Sequence, residues 1–292
     1  MDVSSSLIQI TKWFIRDRNR NINIHIFPKS KNTLNLWQVI IEVEWDQKKL
    51  IGSSGGSKSL FEAYLKALSE LGENIILDSS ALMSRCGIAG GLFESQAIIR
   101  AKAELLERDS FFYHYRNKVP FYDTFTLFKD GIELCIFQLQ SSDPHFYSYL
   151  ATDKDCTLGK SSCLLFGTSA HPDKNVAIEK AIQEYSAIRL NHILQPERCE
   201  SLFKNPDKIA TIMDKHHIAS RDPRNLNRFQ NLCQTSKNMG NRKQIDPKNW
   251  ETQKLKSPFR LLKFIRVDHP DLIKMTFGIP EPGEDKLFHP FW

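Results

Sequence analysis

Apolar and polar residues alternate over "NINIHIF" (21–27) and "LWQVIIEVEW" (36–45). That is the period of a half-buried strand, and the two runs predict a β-hairpin. Three later stretches change to the helical period: "FEAYLKALSELGEN" (61–74), "SQAIIRAKAELLER" (95–108) and "KNVAIEKAIQEYSA" (174–187). Aligned on one glutamate, they share more than periodicity. Ala63, Ala97 and Ala177 coincide, as do Ala67, Ala101 and Ala181, and then Glu70, Glu104 and Glu184. The steps of 34 and 80 residues between the glutamates are too uneven for a solenoid. Small side chains four apart let helix backbones approach a neighbour, which accounts for the alanines. They do not account for the glutamates, because a core-facing carboxylate is costly unless it is paired or bound to a cation.

A glycine-rich segment precedes each helix: "GSSGGSKS" (52–59), "GIAGGLFES" (87–95) and "GTSAHPDKN" (167–175). Gly87 and Gly167 each stand seventeen residues before the aligned glutamate. These segments read as turns, the first after the strand "WQVIIEVEW" and the third after "SCLLFG". Turns of this kind let backbone N–H groups approach phosphate. Neither G-x-x-x-x-G-K-[ST] nor G-x-G-x-x-G is present. The run "RAKAELLERDSFFYHY" (100–115) sets Glu104, Glu107 and Arg108 on one helix face. Taken alone, that is a solvated, salt-bridged surface leading into a buried helix end or a channel lining. Taken with the repeat, Glu70, Glu73, Glu104, Glu107 and Glu184 can surround one centre with Arg108 and Arg189 among them. Mg²⁺ would neutralise such a set, and arginines grip phosphate oxygens in bidentate fashion. The implied chemistry is an Mg-nucleotide site.

Composition changes this picture little. The 292 residues are 41% hydrophobic and 25% charged, an ordinary globular balance. No apolar run reaches membrane-span length, and no secretory signal pattern is seen. The six cysteines lie apart with no C-x-x-C pair, which indicates neither a zinc site nor a disulfide framework. A reduced cytoplasmic protein is expected. The formal charge is +6, and residues 221–260 hold ten Lys or Arg against three Asp or Glu. This stretch reads as a solvated loop or a docking surface. Nucleic acid is not expected, because aromatics at stacking spacing are missing. His216 and His217 diverge on a helix and suit a surface role, His114 suits packing, and His171 lies where it could reach a phosphate.

The blocks "ALSELGEN", "GIAGG…AELLERD" and "GTSAHPDKNVAIEKAIQEYSAIR" resemble the YcaO family of ATP-dependent enzymes that modify peptide backbones. The family-like core spans about 52–189, within one domain expected over 1–292, with a proline-containing tail at 278–292. The resemblance implies an α+β fold of antiparallel-rich sheets with the repeated helices forming a nucleotide cavity. It assigns Glu70, Glu73, Glu104 and Glu107 to Mg²⁺ and phosphate, and Arg108, Glu184 and Arg189 to ATP. It also offers the Trp292 carboxylate as a weak candidate for a general base. Departures from the family pattern are Lys66 for Ser, Asn74 for Arg, Gln96 for Glu, Ala187 for Gln, and an ending of Pro290, Phe291 and Trp292.

The activity implied is ATP- and Mg²⁺-dependent cyclodehydration of Cys, Ser or Thr to thiazoline or oxazoline in a ribosomally made peptide. Sister branches make thioamides or amidines, and a non-catalytic scaffold is the alternative of another class. Implied partners are a peptide substrate and a leader-peptide-binding protein on a separate chain. A dehydrogenase in the same complex and a homo-oligomer are also compatible with the resemblance; a membrane is not implied.

Overall fold

The computed structural model describes residues 3–15, 21–53, 56–79, 86–161, 163–194, 221–234 and 242–272. Backbone contacts divide the chain into two units, Met1–Leu105 with Asp246–Leu272, and Leu106–Ile245 with Ile273–Trp292.

The first unit begins with α1 (Val3–Phe14), β1 (Ile22–Phe27), β2 (Gln38–Trp45) and β3 (Lys48–Ser53). β1 and β2 pair antiparallel, with Ile24 opposite Ile41, as the alternation predicts. Ile22, Ile24, Val39, Ile41 and Val43 supply the buried face. β3 then joins β2 through Asp46 and Gln47, both with left-handed φ, the type I′ pattern that matches strand twist. The sequence reading missed β3. Lys48 and Lys49 hide its pattern, and its inward position is a glycine, Gly52.

Helix α2 (Leu60–Asp78) starts at Ser59, whose side chain accepts from Glu62 N at 3.2 Å. It packs against β2, β3 and β4 (Ile88–Gly91). β4 belongs to a second antiparallel sheet, in which β10 (Lys263–Asp268) lies between β4 and β9 (Glu251–Leu255). Ala63, Ala67, Leu68, Leu71, Phe259 and Phe264 complete the apolar core of this unit.

The division between the units falls inside α3 (Glu94–Asn117). The second unit contains β5 (Tyr122–Lys129), β6 (Ile132–Leu139), β7 (Tyr147–Asp153) and β8 (Phe166–His171), an antiparallel sheet in that order. α5 (Lys174–Leu194) packs on β7 and β8. Two short helices, α4 (Lys154–Thr157) and α6 (Pro223–Leu232), complete the described part.

The three repeated segments are helical, and all six aligned alanines are fully buried. The glycine segments differ from the expectation. Gly52 lies in β3, Gly90 and Gly91 in β4, and Gly167 in β8. A Cβ on Gly52 would stand 2.1 Å from Ala67 O, and one on Gly167 would stand 2.1 Å from Tyr185 N. These glycines therefore let a helix backbone lie directly on a strand, opposite the alanines of the following helix. Gly87 alone among these has a turn conformation, with φ of 77°.

Candidate functional site

Two of the aligned glutamates accept hydrogen bonds from the segments that precede their helices. In the first unit, Glu70 Oε2 accepts from Ser53 N and Ser53 Oγ, each at 3.0 Å. Glu104 Oε2 accepts from Gly87 N at 3.1 Å. Both donors precede their acceptor by seventeen residues, so for Gly87 and Glu104 the spacing noted in the sequence is a backbone N–H just before the strand reaching the carboxylate of the following helix. Glu73 Oε1 accepts from Gly90 N and from Ser69 Oγ, both at 3.1 Å.

These three carboxylates act on one another. Glu73 keeps a partly accessible surface, but its carboxyl lies deep enough in protein that desolvation is the largest influence on it. Together with the charges of Glu104 and Glu70, desolvation pushes it up to about 8. The Gly90 N–H and the Arg100 guanidinium act in the opposite direction. Arg100 is fixed there by donating to Gly90 O at 2.8 Å. The sequence reading missed Arg100, although it lies one helical turn before Glu104.

In the second unit, Glu107 Oε1 accepts from Thr168 Oγ1 at 2.6 Å. Thr168 follows Gly167 on β8, so the third glycine segment supplies a hydroxyl to the acid of α3. Glu184 lies exposed on α5, while Arg108 and Arg189 are partly exposed. Among the described residues, no three His, Cys, Asp or Glu side chains form a ready-made metal cluster. Mg²⁺ keeps several waters and is commonly held by one or two carboxylates plus phosphate oxygens. Oxygen donors already oriented by backbone and hydroxyl groups fit such an ion.

Other nominated residues fall elsewhere. His171 Nδ1 accepts from Asp173 N at 3.0 Å, and Asp173 Oδ1 accepts from Asn175 N and Val176 N. The first turn of α5 is thus capped by its own aspartate, with His171 beside it. His114 is fully buried and bonded on both nitrogens, as a packing role requires. The Trp292 carboxylate, His216 and His217 lie outside the described residues. A thiol–imidazole contact not foreseen in the sequence puts Cys163 Sγ 3.5 Å from His192 Nε2.

The departures also have structural roles. Lys66 donates to Gly56 O at 3.3 Å and lies 3.5 Å from Glu62. Asn74 donates to Ile51 O at 2.7 Å, and Gln96 Oε1 accepts from Leu92 N at 3.2 Å.

Comparison with known proteins adds three findings. The family model described as YcaO cyclodehydratase, ATP- and Mg²⁺-binding, matches residues 77–262. A search of the curated proteins returns no match. The structure of YcaO from Methanopyrus kandleri bound with AMPPCP and Mg²⁺ superposes with a TM-score of 0.62 at 10% identity, over 97% of this chain and 96% of that one. The E. coli microcin synthetase McbBCD complex contains a chain that matches at a TM-score of 0.52 and 11% identity, over 86% of this chain and 88% of that one. The same complex with pro-MccB17 bound matches at 0.53. These likenesses establish the mixed α+β fold with antiparallel sheets, and the family model covers more than half of the sequence: the chain belongs to the YcaO family, whose members modify peptide backbones with ATP and Mg²⁺.

Proposed function

We propose that this chain binds Mg-ATP and uses it to activate a peptide amide, closing a substrate Cys, Ser or Thr onto the preceding carbonyl. The observation that carries the reading is the set Glu70, Glu73 and Glu104. Each carboxylate is oriented by a backbone N–H, and desolvation together with repulsion from Glu104 and Glu70 pushes Glu73 up to about 8. A divalent cation reverses that repulsion. Glu70, Glu73, Glu104 and Glu107 would hold Mg²⁺ and phosphate, and Arg108, Glu184 and Arg189 would contact the nucleotide. When bound, Mg²⁺ supplies charge neutralisation at the transferring phosphoryl group.

The substrate supplies its own nucleophile. Its thiol or hydroxyl adds to the carbonyl carbon and closes the five-membered ring, the γ-phosphoryl group of ATP passes to the resulting oxyanion with release of ADP, and loss of phosphate together with the amide N–H proton forms the C=N bond of the azoline. The chain's residues position and stabilise charge, which fits a site without an evident protein nucleophile. Thioamide or amidine formation uses the same activation with external sulfide or amine in place of the side chain.

Gln96 supports a second reading. At the start of α3 an amide, not a carboxylate, takes the Leu92 N–H, so one acid of the family pattern is missing. A family member with weakened cation binding would serve as a scaffold for a peptide or a partner enzyme.

Thermal unfolding with millimolar Mg-ATP separates the two. The enzyme reading expects a raised Tm, since a ligand that binds the native state stabilises it. It also expects Glu104→Ala and Arg189→Ala to abolish the shift while the ligand-free proteins remain folded. No shift in the parent protein would leave the scaffold.

A further inference from the structure

A buried polar network lies on the flank of α3 away from Glu107. At 3.6 residues per turn, Asp109 points roughly 200° around the helix from Glu107. Its side chain is 2% exposed, and it pairs with Arg242, whose side chain is 7% exposed. Ser142 Oγ donates to Asp109 Oδ2 at 2.6 Å. Arg242 donates to Gln140 O at 2.5 Å and lies 4.5 Å over the Tyr113 ring, one turn along α3 from Asp109. Gln140 N donates to His114 Nε2 at 2.9 Å, and Tyr122 Oη donates to Gln140 Oε1 at 3.2 Å. The chain after Arg242 is tied to the same place, with Ile245 N donating to Ser142 O at 3.0 Å.

Burying two charges is not in itself an efficient way to stabilise a fold, and well-packed apolar side chains often do as well. An ion pair with a fixed fork does something apolar packing does less well: it sets one rotation. A helix turned by one residue would withdraw Asp109 from both Ser142 and Arg242. We propose that Asp109 and Arg242 are positioning residues that fix the rotation of α3, and so the direction in which Glu107 and Arg108 face. The proposal rests on the Mg-nucleotide reading of those two residues.

The test measures the Mg²⁺ dependence of binding of a non-hydrolysable ATP analogue, together with kcat and KM for ATP hydrolysis. The variants are Arg242→Lys, which keeps the charge and loses the fork, and Ser142→Ala, which removes one donor to Asp109. Both are expected to raise the Mg²⁺ midpoint and lower kcat by roughly 10- to 100-fold, as loss of outer support does at metal sites. KM for ATP at saturating Mg²⁺ should stay within about twofold, because misplacement acts on the reacting geometry. The double variant Asp109→Leu/Arg242→Met should retain the Tm of the parent and still show the loss. A parental Mg²⁺ midpoint and kcat in both single variants would overturn the positioning role, leaving a purely structural pair. Failure of the parent itself to bind the Mg-analogue would instead remove the nucleotide reading, and this proposal with it.

Discussion

A neutral imidazole donates through one nitrogen and accepts through the other, and His114 does both. Nε2 accepts from Gln140 N at 2.9 Å, which leaves Nδ1–H to donate to Val119 O, also at 2.9 Å. Burial pushes its pKa down to about 4, because a second proton would have no partner and little water. The sign of the linkage follows. Unfolding restores an ordinary histidine near 6.5, so the contribution is complete above that value and is lost as pH falls toward 4. Urea unfolding of the parent should lose about 3 kcal/mol between pH 7 and pH 4 from this group. His114→Phe should be less stable at pH 7 and flatter across the range; equal slopes in the two proteins would contradict the assignment. At this scale the sequence was legible where burial is expensive. A glutamate aligned with buried alanines stands out, so Glu70 and Glu104 could be named. Ser53 and Thr168 could not, since a hydroxyl on a strand leaves no periodic trace and Thr168 serves an acid 61 residues away.

Among the elements, helices were the clearest, because two alanines and a glutamate at fixed offsets survive in all three. The glycine segments were misread because glycine has two uses that look alike in a sequence, a left-handed turn and a close approach of backbones. Among the described glycines of these segments, Gly87, at φ of 77°, has the turn use. The other use gives a sharp test. At Gly52 and Gly167 an added Cβ would meet backbone atoms of α2 and α5 at 2.1 Å, and backbone cannot step aside as a side-chain tip can. Gly52→Ala and Gly167→Ala are each expected to cost about 3 kcal/mol or to prevent folding. Gly131→Ala, with nothing within 4 Å but φ of 85°, should cost only about 1 kcal/mol. Chemical denaturation of the three variants checks the order.

For the whole molecule, the partner question turns on the cations of residues 221–260. Several are already engaged. Arg224 pairs with Asp222, Arg228 donates to Tyr115 O, Arg242 is buried with Asp109, and Lys254 pairs with Glu94. Lys243 in the second unit, and Lys248 and Lys256 in the first, are exposed and remain as candidates for docking contacts. If a leader-binding protein is required, the isolated chain should hydrolyse ATP slowly and modify peptide poorly, with both accelerated by the partner. Reversing the charge of those three lysines should weaken association and flatten its salt dependence. Efficient modification of a leaderless peptide by this chain alone would exclude the requirement. Among the described residues, no helix is long and apolar enough to cross a membrane.

The pairing of β4 with β10 has a consequence for how the protein is made. Among the described residues Gly90 takes its strand partner from Phe264, so during synthesis the edge of β4 stays open while β5 to β8 emerge. The described strands β5 to β8 follow one another in sequence and can complete their sheet first, although the first unit begins earlier in the chain. Ribosome-bound chains stopped before residue 263 should therefore protect β5–β8 from proteolysis while leaving the region around β4 susceptible.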